Sequence, residues 1–393
     1  MHVLPYLAVE PDAAEVLDEV RTGAAPDASV WVSAYRAAPE RTSVHGGVRI
    51  CDAGASLHAT HDALTVAAHT PRAVSVACAP LGIPPTRVCL ATRRGTLPGA
   101  AGAPHGAWSL AFARSASGLE RWCVGGPDAV LHVGEWCPDA PEPFAMPIPL
   151  GGHRAEISSV RFFPSGEVLL TTSLDYTAKI YSAIDGSNPR TLTGHTRAVY
   201  SSAIVGRGRE VLTGSLDATV RMWDVSRGAT TTTLAAPGGA GVLTLETHDA
   251  CAYAGLASGT LAVWDIRASD TAATHDAPRS PLGEAGGVTA LAVDGARLAV
   301  GTRAGVCAVY DVRHPAAPLD TFWRNTAEIT QVRWHDGGLL VATSDGLPFR
   351  SALPPRVLDE WVGWEADRVD ALAADARGAV VAAGGGAYAL YAP

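Results

Sequence analysis

Apolar and polar residues alternate in short stretches along most of the chain, and turn-forming residues separate the stretches. In residues 211–215, for example, Val211, Thr213 and Ser215 alternate with Leu212 and Gly214. A period of two is typical of β-strands, because successive side chains point to opposite faces of a sheet. The pattern therefore predicts an all-β protein built from many short strands.

The strands are organised in a repeat with a period of 42 residues. His153 is followed after 22 residues by Asp175, and His195 is followed after 22 residues by Asp217. A glycine precedes each histidine, and an aromatic residue lies six positions after each aspartate: Tyr181 and Trp223. This spacing resembles the WD40 repeat, in which each unit supplies one four-stranded blade of a ring-shaped β-propeller.

Weaker copies of the repeat lie on both sides of these two. The turn aspartate of the repeat is present as Asp128 upstream and as Asp345 downstream. The aromatic residue of the repeat is present downstream as Trp264, Tyr310 and Tyr391. The count gives seven units. We expect an N-terminal domain with lead-in strands in residues 1–104 and a seven-bladed propeller in residues 105–393.

The repeated polar residues suggest a hydrogen-bond network within each blade. Asp217 lies in a predicted tight turn, where it can accept a hydrogen bond from His195, and Thr213 and Trp223 can extend the network. His153, Asp175 and Tyr181 are the corresponding residues of the preceding repeat. Histidine, aspartate and a hydroxyl also make up catalytic triads, but the need to satisfy buried polar atoms favours a structural role.

Composition narrows the classes of partner and compartment. The 393 residues are 47% hydrophobic and 18% charged, with a formal net charge of −9. An acidic chain argues against nucleic acid as the main partner. Lys179 is the sole lysine, and both a GC-rich genome and selection against lysine modification would explain that.

Segments for targeting or membrane insertion are not expected. The N-terminus has no basic region before an apolar run, and no stretch is long and apolar enough for a membrane helix. The seven cysteines are scattered and include no C-x-x-C pair, which favours free thiols in a reducing compartment. These features predict a cytoplasmic and nuclear protein.

Several strings go beyond the general repeat: R-F-F-P-S-G in residues 161–166, A-I-V-G-R-G-R-E-V-L-T-G-S-L-D-A-T-V-R-M-W-D in residues 203–224 and D-V-R-H-P-A-A-P in residues 311–318. Together with V-W-V-S-A-Y-R-A-A-P near the start, they resemble the proteasomal ATPase-associated factor 1 family. The resemblance implies a small N-terminal domain, a seven-bladed propeller and no enzymatic activity. It also implies binding to the C-terminal domain of a proteasomal AAA ATPase subunit during assembly of the regulatory particle.

Propellers commonly bind partners on the face that carries the turn aspartates. Residues just before the first strand or just before the turn aspartate of a repeat are expected there: Glu156, Leu174, Ala198, Leu216, Arg303, Glu328, Ser344 and Arg368. Glu156 and Glu328 would attract a basic partner, or they are ordinary solvated loop acids.

Other candidate sites are weaker. Trp361 and Trp364 could anchor a partner, although packing on the blade beneath is favoured. His58, His61, His69 and Asp62 do not match a known metal-ligand spacing, so no metal or other cofactor is expected. The chain has no phosphate-binding G-x-x-x-x-G-K-[ST] loop and no G-x-S-x-G motif.

The sequence thus predicts a non-enzymatic assembly chaperone that is a monomer on its own, binds a proteasomal ATPase and binds neither nucleic acid nor membrane. Another WD40 scaffold, such as a ubiquitin-ligase substrate receptor or a ribosome-assembly factor, is the alternative.

Overall fold

The computed structural model describes residues 1–38, 40–51, 56–70, 72–99, 108–115, 118–140, 142–144, 147–268, 273–363, 368–375 and 377–391. Nearly all regular structure in this part of the chain is β-strand. The N-terminal elements are β1 His2–Val3, β2 Tyr6–Val9, α1 Ala13–Thr22, β3 Ala28–Arg36, β4 Thr42–Cys51, β5 Ser56–Ala59, β6 Leu64–Thr70, β7 Ala73–Cys78, β8 Ile83–Leu90 and β9 Arg93–Thr96.

Seven antiparallel sheets follow within the described residues and form blades 1 to 7 of a propeller. The strands of blades 1 to 3 are β10 Ser109–Arg114, β11 Glu120–Gly125, β12 Leu131–Glu135 and β13 Ile148–Leu150; β14 Ile157–Phe162, β15 Val168–Ser173, β16 Ala178–Ser182 and β17 Arg190–Leu192; and β18 Val199–Val205, β19 Glu210–Ser215, β20 Thr219–Asp224 and β21 Ala229–Ala235. The strands of blades 4 to 7 are β22 Val242–His248, β23 Cys251–Leu256, β24 Thr260–Asp265 and β25 Ala273–Asp276; β26 Val288–Asp294, β27 Arg297–Thr302, β28 Val306–Asp311 and β29 Asp320–Trp323; β30 Ile329–His335, β31 Gly338–Thr343, β32 Phe349–Ala352 and β33 Arg356–Val362; and β34 Ala371–Ala374, β35 Val380–Gly384 and β36 Ala387–Tyr391. The prediction of an all-β, seven-bladed propeller is confirmed.

Blade 7 takes its outer strand from the segment before blade 1. Strand β9 pairs antiparallel with β36, from Ala387 opposite Thr96 to Leu390 opposite Arg93. This pairing closes the ring, because the first propeller strand in the sequence completes the last blade. Strand β9 belongs to the expected lead-in region of residues 1–104, so that region contributes a strand to the propeller.

Neighbouring blades are joined around the centre by the first strand of each blade. Three hydroxyls, those of Ser158, Thr289 and Thr330, donate to a backbone carbonyl of the next blade at 2.5–2.6 Å. The acceptors are the first buried apolar residues of those blades: Val199, Ile329 and Val369. The polar side chains at the centre therefore satisfy backbone groups that sheet pairing within a single blade leaves open.

The N-terminal domain has its own core. Strands β2 to β5 form one sheet, and β6 to β8 form part of another. Helix α1 buries Ala13, Ala14, Leu17 and Val20 against them, at the spacing of one helix face, and ends at Gly23 with φ of 77°.

Two strands of this N-terminal segment extend sheets of the propeller. Strand β8 pairs in parallel with β33, the outer strand of blade 6, and β1 pairs in parallel with β29 of blade 5. The Asp359 carboxylate of β33 is buried and lies 2.6 Å from Arg87 of β8 and 2.6 Å from Arg350 of its own blade. The domain is thus attached by continuous sheets and by buried charge pairs.

A second buried ion pair lies at this junction. Arg324 Nη2 is 2.9 Å from Glu360 Oε2, and the backbone N–H of Leu7 donates to Glu360 Oε1 at 3.2 Å. The Arg324 guanidinium also lies 4.6 Å from the ring centres of Tyr6 and Phe349. Burial raises the pKa of Glu360 to about 7, although Arg324 opposes this shift.

Candidate functional site

The turn between the second and third strands of blade 3 carries a hydrogen-bonded polar network. His195 Nδ1 lies 2.8 Å from Asp217 Oδ2, and His195 Nε2 lies 2.7 Å from Thr213 Oγ1. The Trp223 indole N–H donates to Thr213 Oγ1 at 2.8 Å. Asp217 also accepts from the backbone N–H of Thr196 at 3.0 Å. All four residues expected from the sequence meet here.

Blade 2 repeats the network with one difference. His153 lies 2.9 Å from Asp175 and 2.8 Å from the Thr171 hydroxyl. The Tyr181 hydroxyl, however, donates to the carbonyl of Gly151 at 3.2 Å. A tyrosine carries its polar atom at the far end of the ring, whereas a tryptophan carries its N–H on the side. Tyr181 therefore binds the backbone of the segment between β13 and β14 and does not extend the histidine–aspartate network.

The ionisation of these residues fits a structural role. Burial lowers the pKa of His153 and of His195, and this outweighs the neighbouring carboxylates. Burial also acts to raise the pKa of Asp175, but hydrogen bonds from Thr177, the backbone of Arg154 and His153 lower it to about 2. At neutral pH a neutral imidazole therefore faces an ionised aspartate, whose oxygens hold the turn backbone.

The turns of blades 2 and 3 define one end of the propeller, which we call the top face. The expected surface residues pair there through their backbones: Leu174 donates to Glu156 at 3.0 Å, and Leu216 donates to Ala198 at 3.0 Å. In blade 6 the backbone N–H of Ser344 donates to Glu328 at 2.9 Å. Each pair brings one residue before the first strand next to one residue before the turn aspartate.

Glu328 is held between two arginines of the neighbouring blades. Arg303 of blade 5 lies 3.4 Å from Glu328 Oε1, and Arg368 of blade 7 lies 3.3 Å from Oε2. Arg368 also pairs with Asp370 at 2.7 Å. Glu328 therefore belongs to a mixed-charge cluster on this part of the rim.

Tyr176 is a surface residue that the sequence reasoning missed. It follows the turn aspartate of blade 2 with φ of 71°, and half of it is exposed. The corresponding position is Ala218 in blade 3 and a glycine, Gly259 or Gly305, in blades 4 and 5. A left-handed backbone is costly for a bulky residue. Alignment of the repeats could have identified Tyr176, because the compared repeats have alanine or glycine at this position.

The remaining candidates do not come together in a site where the structure describes them. Trp361 is 4% exposed and packs 6.1 Å from the Tyr391 ring, while Trp364 and the side chain of His69 lie outside the described residues. Within the described part of the chain, no three His, Cys, Asp or Glu side chains are grouped to hold a metal ion. No helix there has the length and apolar character needed to span a membrane.

Comparisons with known proteins match parts of the chain. A family model described as WD domain, G-beta repeat, matches residues 148–182 and 186–224, and one described as nucleolar protein 10-like, N-terminal domain, matches residues 207–349. A segment of 40 residues is 58% identical to the 26S proteasome regulatory subunit RPN14 of Saccharomyces cerevisiae. That segment covers 10% of this chain and 10% of the relative.

The two stretches matched as WD repeats contain the two histidine–aspartate networks of blades 2 and 3. The comparison and the hydrogen bonding thus identify the same part of the ring. The chain contains WD40 repeats in an all-β propeller, and part of that propeller is similar to the N-terminal domain of nucleolar protein 10-like proteins.

Proposed function

We propose that this protein is a non-enzymatic scaffold that assists assembly of the base of the proteasome regulatory particle. In this role it binds the C-terminal domain of one proteasomal AAA ATPase subunit as a monomer, in the cytoplasm and nucleus. The observation that carries the proposal is the segment of 58% identity to a 26S proteasome regulatory subunit. The family resemblance of residues 161–166, 203–224 and 311–318 points to the same function.

The top face is the surface that we assign to the ATPase domain. Tyr176 supplies an exposed aromatic ring there, and Leu174, two residues before it, is partly exposed. Aromatic residues are enriched among the side chains that dominate binding energies at protein interfaces. Tyr176 has a strained backbone conformation. A bulky residue at such a position is best explained if its side chain has a function, such as binding a partner.

Charge contributes less than the acidic composition suggests. Glu328 is paired with Arg303 and Arg368, so this part of the rim presents both signs. Attraction of a basic partner therefore comes from the net charge of −9 over the whole molecule. We expect charge to affect the association rate more than the affinity.

The test is a binding measurement with the separately purified C-terminal domains of the proteasomal ATPases. One of them should bind the wild-type protein. Tyr176→Gly should weaken that complex by about tenfold and leave the unfolding free energy within about 1 kcal/mol of wild type, because glycine suits a positive φ.

Ala218→Gly is the matched control, since it makes the same backbone change one blade away without removing an aromatic ring. It should bind as the wild type does. Absence of binding to every ATPase domain would contradict the proposed function. Equal affinity of wild type and Tyr176→Gly would instead remove Tyr176 from the interface.

A second candidate, a ribosome-assembly factor, is favoured by the nucleolar protein 10-like match over residues 207–349. Affinity purification from cells separates the two candidates. Recovery of proteasomal ATPases supports the first, and recovery of pre-ribosomal particles without them supports the second.

A further inference from the structure

The central channel of the propeller is a polar cavity of about 970 Å³. The first strands of the blades line it, and most of their hydroxyls are engaged with neighbouring blades. Ser109 accepts from the backbone N–H of Val160 at 3.1 Å, and Ser201 accepts from that of Leu245 at 3.0 Å. The lining hydroxyls therefore hold the ring together. Four acidic residues that also line the cavity are each paired with an arginine: Asp294, Glu328, Asp336 and Asp370.

Three charged residues stand out at one level of this lining. Arg161 of blade 2 is opposite Leu170, Glu246 of blade 4 is opposite Tyr253, and Arg333 of blade 6 is opposite Leu340. Each lies four residues after the first residue of its strand. By the same register the other four blades place small residues at this level: Ala111, Ala203, Ala292 and Ala373.

The three charges do not balance. Arg161 Nη2 lies 2.7 Å from Glu246 Oε1 and donates to the carbonyl of Leu245 at 3.2 Å. Arg333 has no hydrogen-bond or ion-pair partner among the described residues, and its Nε atom is buried. Burial lowers the pKa of Arg333 and the positive charge of Arg161 lowers it further, while the carboxylate of Glu246 acts to raise it. Arg333 as a whole is partly exposed to the channel, and a guanidinium N–H that is buried without an acceptor is costly unless something supplies one.

We propose that the channel binds a small phosphate-bearing anion, with Arg333 as its principal ligand. A guanidinium presents a rigid fork of N–H donors that matches the oxygens of a phosphate. The small side chain of Ala292 lines the cavity at the same level, and 970 Å³ falls within the range of small-molecule sites. Arg161 adds positive charge, which its ion pair with Glu246 partly neutralises.

The proposal is tested by titrating the full chain with pyrophosphate, inorganic phosphate and acetate in a calorimeter. Wild type should bind pyrophosphate saturably and more tightly than acetate. Arg333→Gln should weaken pyrophosphate binding by at least about tenfold. Arg313→Gln is the matched control: this arginine is 72% exposed on an outer turn and pairs with Asp311, so its loss should not change the affinity.

Glu246→Gln supplies a change in the opposite direction. It removes the carboxylate from this level and frees Arg161, so pyrophosphate should bind about threefold or more tightly. Arg333→Lys keeps the charge without the fork and should give an intermediate affinity, which covers the case in which Arg333→Gln does not fold. The proposal is overturned if pyrophosphate does not bind wild type saturably, if acetate binds equally well, or if the folded channel variants bind as wild type does.

Discussion

At the scale of single residues, Asp217 shows how one side chain organises a turn. Its carboxylate contacts His195 and accepts from the backbone N–H of Thr196, the backbone N–H of Thr219 and the Thr219 hydroxyl. His195 in turn lies 2.7 Å from the Thr213 hydroxyl, which also accepts a hydrogen bond from the Trp223 indole N–H. Removing the carboxylate therefore leaves several polar groups of the turn without partners at once, the buried His195 among them.

We expect Asp217→Ala to lower the free energy of unfolding by about 2–4 kcal/mol, because unsatisfied buried donors retain their full desolvation cost. Urea denaturation measures the change. Asp345→Ala is the comparison, since Asp345 accepts only from Asn325 and from the backbone of Leu347 among the hydrogen bonds of the described residues. Its effect should be about 1 kcal/mol or less, and equal losses in the two variants would contradict this account.

The residues of the network could be predicted from sequence, because the repeat places them at fixed offsets. The surroundings of Glu328 could not, since its partners Arg303 and Arg368 lie 25 and 40 residues away in two other blades. The unpaired charge of Arg333 likewise depends on register across several sheets. Spacing along the chain predicts contacts within a blade better than contacts between blades.

At the scale of strands, close approach between blades depends on glycines in the second strand of a blade. A Cβ on Gly255 would lie 2.5 Å from Val288 Cγ1 and 2.7 Å from the Val288 carbonyl oxygen of the next blade. Gly214 and Gly301 face the first apolar residue of the next blade in the same way. The backbone of one blade thus packs directly on the next.

Gly255→Ala should lower the free energy of unfolding by about 1–3 kcal/mol, because the added methyl meets backbone atoms that cannot move aside. Gly151→Ala is the control, since no atom lies within 4 Å of its added Cβ, and its effect should stay within about 0.5 kcal/mol. Thermal and urea unfolding of the two variants check the difference. An unchanged free energy of unfolding in Gly255→Ala would mean that blades 4 and 5 can move apart slightly without losing stability.

At the scale of the whole molecule, the existence of seven blades could be predicted, because each carries its own local pattern. The attachment of the N-terminal domain could not. Parallel pairing of β8 with β33 and of β1 with β29 leaves no local signature, since it joins strand edges far apart in the chain. The same holds for β9, which pairs with the final strand.

The domain junction should make stability depend on pH through Glu360. Its pKa is raised from 4.5 to about 7, so between these values the unfolded chain releases a proton that the folded protein retains. The free energy of unfolding should therefore fall as pH rises from about 4.5 to 7 and then level off, by roughly 3 kcal/mol or less. Urea denaturation of wild type and Glu360→Gln across this range checks the effect.

Glu360→Gln keeps an oxygen for the Leu7 N–H but cannot ionise. As pH rises from about 4.5 to 7, the free energy of unfolding of wild type should therefore fall relative to that of the variant. Parallel pH curves for the two proteins would show that Glu360 does not titrate in this window.

The closure of the ring by β9 also sets an order of events during synthesis. Thr92, next to β9, donates its hydroxyl to Leu390, a partner 298 residues further along the chain. Ribosomes make β9 before blades 1 to 6, whereas its partner β36 is made after them. Blades 1 to 6 can form in sequence during translation, but the circle closes only after β36 emerges, and until then the faces of blades 1 and 6 that pack on blade 7 stay uncovered.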